Sequence, residues 1–367
     1  MDPRIEKLAD VLVNYSVDLQ PGQTVFIQAG TAAIPLVKAV VVAALKAGGN
    51  PFTRITIPGL DELFYRYASD DQIRHVAPPT KLIYESYDAM ITFWSQENTK
   101  GLTNVPSEKL AMANAASRDV FQTFVQRMAT KELRWVGALY PTNGYAQDAE
   151  MGLSEYEDFV YDACLPDPED PVGFWQRLSA RQQTYVDWLA GKKRIRIEGP
   201  NVDLRMSIAG RIFENCDGKN NMPDGEIFTG PVEDSVEGRV RFSYPSVYQG
   251  RKVEGIDLTF EQGRVVNASA DKGEEFLLKT IDVDEGARYV GEFAIGTNEG
   301  ITRATGHTLL DEKINGSFHM ALGLGMPETG SKNQSAIHWD MVCDLSQGGR
   351  ILVDDQLIYE SGRFLIG

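Results

Sequence analysis

The chain has 367 residues, 43% of them hydrophobic and 24% charged, with a net charge of −16. That length and mix suit a two-domain globular protein with a core in each half. The negative field argues against nucleic acid as a partner and weakly favours cationic ligands, including the protonated amino end of a peptide.

The N-terminus, Met1-Asp-Pro-Arg-Ile-Glu-Lys, is charged and lacks the apolar stretch of a secretory signal. Ile5, Leu8, Ala9 and Leu12 fall on one face of an amphipathic helix. Pro21-Gly22 marks a turn, and Thr24 to Gln28 reads as a strand. A helix rich in Ala and Val follows from about Ala33 to Lys46, ended by Gly48-Gly49-Asn50. Its apolar run, Ile34 to Leu45, is interrupted by Lys38 and is too short to cross a bilayer. The cysteines, Cys164, Cys216 and Cys343, form no CxxC pair and no regular framework. A cytoplasmic protein without membrane association is expected.

Pro51 to Ile57, Ala89 to Trp94 and Trp135 to Tyr140 read as further strands, with a helix from Ser107 to Thr130. Strands separated by helices of this length predict a parallel sheet covered by helices. No strand is followed by GxGxxG or GxxxxGK[ST], so the Gly30 turn is a weak phosphate signal and reads as an ordinary strand-to-helix turn. Two helices are expected between Leu153 and Gly191, parted by Leu165-Pro-Asp-Pro-Glu-Asp-Pro. The second carries Trp175, Leu178, Tyr185 and Leu189 as a packing stripe.

The pattern changes near Lys192. Alternating runs at Arg194–Glu198, Leu204–Ile208, Val253–Phe260 and Val265–Ala270 predict short antiparallel strands, with a hairpin turn at Glu261-Gln-Gly-Arg and a helix at Glu274–Thr280. The expected organisation is an α/β domain with a parallel sheet over residues 1–191. A mainly antiparallel β (α+β) domain, carrying the chemistry, follows over residues 192–367.

Three of the four histidines, His307, His319 and His338, lie in that second domain; His75 is the fourth. Ala336-Ile-His-Trp-Asp-Met-Val reads as a strand, so His338 and Asp340 project to one side while Ile337, Trp339 and Met341 face a core. An imidazole beside a carboxylate is half of a site for Zn²⁺, Co²⁺ or Mn²⁺. By itself, the motif reads first as a surface ion pair. His319 sits among apolar residues and glycines, where a core histidine is the plain alternative. Pro223-Asp-Gly turns the chain into a strand that begins at Glu226, which alone reads as an exposed glutamate. Glu292 lies inside an apolar run, where an unpaired carboxylate is costly and a metal would offset that cost. Two histidines and three carboxylates exceed what one tetrahedral zinc takes, and suit two divalent ions sharing a carboxylate and a water. Asp311 and Glu312 read first as a solvated turn, with support of the metal ligands as the alternative; His75 and His307 carry no assigned role.

MPDGEIFTGP, GEFAIGTNEGI, LLDEKINGSFHMALG and PETGSKNQSAIHWDM occur in this order. With them the chain resembles, over its whole length, the M29 metallopeptidases, the thermophilic aminopeptidases. The resemblance implies two divalent metal ions (Zn, Co or Mn) held by Glu226, Glu292, His319, His338 and Asp340. It implies Glu292 as the bridging carboxylate and Glu226 also as a proton carrier. It further implies a homodimer that encloses the site and acts on short peptides with a free N-terminus. At the position where the family carries a catalytic tyrosine, this chain has Met326, whose thioether cannot donate a hydrogen bond. A different metal-dependent amide hydrolase would use similar ligands and stands as one alternative; a metal-containing binding protein, weakened in catalysis because of Met326, stands as the other.

Overall fold

The computed structural model describes residues 2–366. Packing divides the chain into two units. One runs to Phe174 and takes in Gly218–Pro223; the other comprises Trp175–Asp217 and the chain from Asp224 onward.

In the first unit, Asp2 caps the helix Pro3–Asp10 by accepting from the Arg4 amide at 2.9 Å. The sheet is five-stranded and parallel, in the order Asn50–Thr56, Thr24–Gly30, Ala89–Trp94, Arg134–Leu139 and Asn221–Met222. The runs Val25-Phe-Ile and Ala89-Met-Ile are buried on both faces, as parallel strands between helix layers should be. The parallel strands expected from the hydrophobic runs are therefore present. The expected helix from Ser107 to Thr130 is instead two helices, Ser107–Ala116 and Arg118–Ala129, broken at Ser117, whose backbone (φ −86°, ψ 2°) leaves the helical region. Three short helices that periodicity did not single out, Leu60–Tyr67, Asp70–Arg74 and Pro78–Ser86, fill the stretch before Ala89.

The second unit stacks two antiparallel sheets. An eight-stranded sheet runs Arg264–Ser269, Asp257–Glu261, Glu237–Arg241, Val202–Ser207, Arg194–Gly199, Arg350–Val353, Gln356–Glu360 and Arg363–Phe364. The five-stranded sheet runs His338–Asp344, Ser317–Gly323, Val290–Gly296, Glu226–Thr229 and Glu214–Cys216. Ile195, Ile197, Leu204 and Met206 of the first share one apolar core with Ile227, Phe293, Ile295, Phe318, Met320, Leu322, Trp339 and Met341 of the second. The helices Pro171–Leu189 and Glu274–Ile281 add Tyr185, Leu189, Leu277 and Ile281. Because side chains alternate along a strand, residues between these core positions point out of the other face of the five-stranded sheet. Glu226, His319, His338 and Asp340 all occupy such positions.

Glu292 reaches the same face with help from a bulge. The pairing Val290↔Leu322 is followed by Glu292↔Ala321, so Gly291 is the extra residue. This lets Val290 enter the core while Glu292 faces out. A Cβ at Gly291 would lie 2.3 Å from the carbonyl oxygens of Gly323 and Leu324, so the position needs glycine. Among the described residues, no helix is long and apolar enough to cross a membrane.

Candidate metal centre

Four adjacent strands each deliver polar side chains to one patch. His338 and Asp340 come from one edge strand, His319 from its neighbour, Glu292 from the next, and Glu226 from the first position of the fourth. Ala321 lies in register between Asp340 and Glu292, and Ala294 lies opposite His319. These small side chains floor the patch and leave room above it.

The sequence-predicted residues Glu226, Glu292, His319, His338 and Asp340 are brought together. His319 Nε2 lies 3.1 Å from Glu292 Oε1, 3.6 Å from Glu226 Oε2 and 3.9 Å from Asp340 Oδ1. His338 Nε2 lies 3.4 Å from Asp340 Oδ1 and 3.7 Å from Glu292 Oε2. Glu292 thus turns one oxygen towards each histidine. Among the groups of potential donors, Glu226–Glu292–His319 and Glu292–His338–Asp340 share that carboxylate, while Glu312, His319 and Asp340 form a further group without it.

Both imidazoles are oriented by backbone carbonyls. His319 Nδ1 donates to Glu312 O at 2.9 Å, and His338 Nδ1 donates to Leu324 O at 2.8 Å. A carbonyl only accepts, so the proton of each neutral ring sits on Nδ1 and Nε2 is left as the electron-pair donor. Glu226 Oε2 and Asp340 Oδ1 are buried without a hydrogen-bond partner. Buried carboxylate oxygens are normally paired. A nitrogen and oxygen donor set with orphaned carboxylate oxygens fits divalent cations.

The cluster extends beyond the expected five. Lys313, fully buried, donates to Glu226 Oε1 at 2.7 Å and to Glu312 Oε1 at 2.6 Å, and lies 3.7 Å from Asp224 Oδ1. Burial would lower its pKa, but Glu226, Glu312 and Asp224 raise it well above the usual lysine range. Burial likewise drives Glu226 upward, and the charges of Lys313 and His319 only partly offset it. Burial disfavours the charged forms of the histidines, yet contact with Glu292 and Glu226 raises His319, and Asp340 raises His338.

Asp311 and Glu312, expected in a solvated turn, are not there. Asp311 is 5% exposed and accepts from the Thr305 amide and hydroxyl and the Gly306 amide. Burial pushes its carboxyl up to about 7 against those bonds. Glu312 lines a narrow cleft with Asp340, Ser246 and Thr308. Met326 is half-buried and opens the short turn Pro327–Thr329, where its carbonyl accepts from the Thr329 amide and hydroxyl. No hydrogen bond described within the cluster involves it. Lys313 and Asp224 carry no signal in sequence, since an isolated Glu-Lys pair and a Pro-Asp-Gly turn both read as solvated surface.

A family model for thermophilic metalloproteases (M29) matches residues 1–364. The chain is 28% identical over 353 residues to aminopeptidase T of Thermus thermophilus, covering 88% of this chain and 85% of that one. It is 26% identical over 392 aligned positions to aminopeptidase 2 of Geobacillus stearothermophilus, covering 100% of this chain and 92% of that one. Among solved structures, wild-type AmpT from Thermus thermophilus superposes with a TM-score of 0.86 at 23% identity, over 99% of both chains. A 2,5-dihydroxypyridine dioxygenase from Pseudomonas putida KT2440 shares the fold with a TM-score of 0.62 at 13% identity, over 100% of this chain and 98% of that one. The fold alone therefore does not fix the reaction.

Proposed function

Since this chain belongs to the thermophilic metalloprotease (M29) family, and is a metallopeptidase, we propose that it is a metal-dependent aminopeptidase using two divalent cations. The carrying observation is Glu292, whose two oxygens face His319 and His338 and which belongs to both donor groups. Charge supports a pair of ions. Five carboxylates (Asp224, Glu226, Glu292, Glu312 and Asp340) against the single ammonium of Lys313 leave four negative charges when all five are ionised and the histidines are neutral. Two divalent ions balance that number.

In this reading Glu226, Glu292 and His319 would hold one ion, and Glu292, His338 and Asp340 the other. Zn²⁺, Co²⁺ and Mn²⁺ all suit the donor set. Cations bound there would polarise a peptide carbonyl and make a water acidic near neutral pH. The chain's own residues do the rest. Fixed by their Nδ1 hydrogen bonds, His319 and His338 keep Nε2 turned inward. Glu226 would also take up the proton lost by the attacking water and pass it to the leaving amine. The acidic surroundings attract the substrate's free ammonium end, which places the first peptide bond at the centre. Short peptides with a free N-terminus are the proposed substrates, and a homodimer in the cytoplasm the proposed state.

Hydrolysis of an aminoacyl reporter with added Co²⁺ or Zn²⁺ tests the reading. Glu226→Gln should cost at least about a hundredfold in rate; an unchanged rate would overturn the role of Glu226. Preference for phosphate esters over aminoacyl amides would identify a different metal hydrolase. Met326, in place of a hydroxyl donor, favours one second reading, a binding protein weakened in catalysis. Absence of turnover with every metal would select it.

A further inference from the structure

The donor groups of the paired-ion site do not exhaust the cluster. Cys216, Asp224 and Glu226 form another set of three potential ligands within 4.8 Å of one another. Cys216 and Glu226 are directly paired across neighbouring strands. Asp224 lies two residues before Glu226, and its carbonyl accepts from Asn298 Nδ2 at 2.7 Å. Such a set invites a cation, and the chain supplies one. The Lys313 ammonium sits 2.7 Å from Glu226 Oε1, 2.6 Å from Glu312 Oε1 and 3.7 Å from Asp224 Oδ1. Its side chain is 1% exposed.

The backbone holds this lysine in place. The Asn298 amide donates to Lys313 O at 3.1 Å. A Cβ at Gly296 would lie 2.8 Å from the Lys313 carbonyl carbon and 2.2 Å from Ile314 O, so the close passage of this segment over the strand depends on glycine. Lys313 occupies one oxygen of Glu226, and the other, Oε2, is buried without a hydrogen-bond partner, 3.6 Å from His319 Nε2. One carboxylate is thereby divided between a covalently attached cation and the candidate metal centre.

We propose that Lys313 is a tethered cation of this centre, a positioning residue whose ammonium takes the place of a further divalent ion among Cys216, Asp224 and Glu226 and fixes Glu226 with Oε2 turned to the paired-ion site. The inference rests on the proposed two-ion reading. A lone buried carboxylate cluster would be strongly destabilising. A mobile ion would neutralise it only when bound, whereas the lysine neutralises it permanently. Removal of the side chain should convert the position into a cation site with a thiol at its edge.

The test is a Co²⁺ titration of the full-length wild type and Lys313→Ala, followed by metal analysis and near-ultraviolet absorption. Lys313→Ala should bind one more Co²⁺ per chain than wild type and show a thiolate-to-cobalt charge-transfer band that wild type lacks. The band should vanish in the double variant with Cys216→Ser, and methylammonium should suppress it by refilling the cavity. A folded Lys313→Ala with the wild-type ion count and no such band would overturn the proposal. If the variant folds poorly, recovery of its melting temperature by Co²⁺ or methylammonium, and not by tetramethylammonium, supports it. Recovery with neither shows that the stem rather than the charge is required, and overturns it. A wild-type count other than two would sink the two-ion reading, while the difference between variant and wild type still decides the role of Lys313.

Discussion

His338 Nδ1 donates to the carbonyl oxygen of Leu324 at 2.8 Å, and that carbonyl can take its position only because Gly291 beneath it has no side chain. The bulge at Gly291 therefore performs two tasks. It turns Glu292 to the site face, and it admits the acceptor that fixes the His338 ring. Gly291→Ala should displace Leu324, free the ring and weaken divalent-ion affinity by about tenfold to a hundredfold. Calorimetric titration with Zn²⁺ reads this directly. Wild-type affinity in the variant would show that ring orientation does not depend on the bulge.

The shared carboxylate separates two outcomes. Glu292→Gln should impair both binding steps in a Co²⁺ titration, because both donor groups include Glu292. Asp340→Asn should impair one step and leave the Glu226–Glu292–His319 group competent. Equal, single-step losses in the two variants would argue against a bridging role.

Met326 begins the turn that follows the His319 strand. Met326→Tyr adds a phenolic donor on this turn. An oxyanion donor is worth up to about 10²–10³ in rate, so activity on aminoacyl reporters should rise by some part of that range, with ion content unchanged. An unchanged or lower rate would mean that Met326 does not replace a lost donor.

Asp284, ahead of the strand bearing Glu292, ties down the segment that leads into the strand bearing His338 and Asp340. Its carboxylate accepts from the Ala336 amide at 2.7 Å, the Ser335 hydroxyl at 2.9 Å and the Ala287 amide at 2.9 Å. Partial burial would raise its pKa, but these donors together hold it below the ordinary aspartate range. A depressed carboxylate contributes stability that is fully present above the unfolded pKa and is lost as pH falls through the folded one. Between neutral pH and about pH 3, wild type should therefore lose more melting temperature than Asp284→Asn. Parallel acid limbs would exclude Asp284 as an acid-sensitive anchor.

Much of the second unit was legible in sequence because its signal is local. Period-two alternation places Trp339 and Met341 in the core and His338 and Asp340 on the opposite face. The Pro-Asp-Gly turn delivers Glu226 to the start of its strand. Lys313 was not legible, since its bond to Glu226 spans 87 residues of chain and the neighbouring Glu312 makes it look like an ordinary surface charge pair. Nor was the bulge, because a single inserted residue leaves the apolar composition of the run unchanged. The break at Ser117 was hidden for a related reason: its flanks, Ala116 and Arg118, are both good helix formers.

The most direct measurement is anomalous diffraction from crystals grown with Mn²⁺, which locates each ion without reference to activity. Two peaks are predicted, one among Glu226, Glu292 and His319 and one among Glu292, His338 and Asp340. A single peak, or peaks that leave Glu292 outside the coordination shell, would contradict the paired-ion centre.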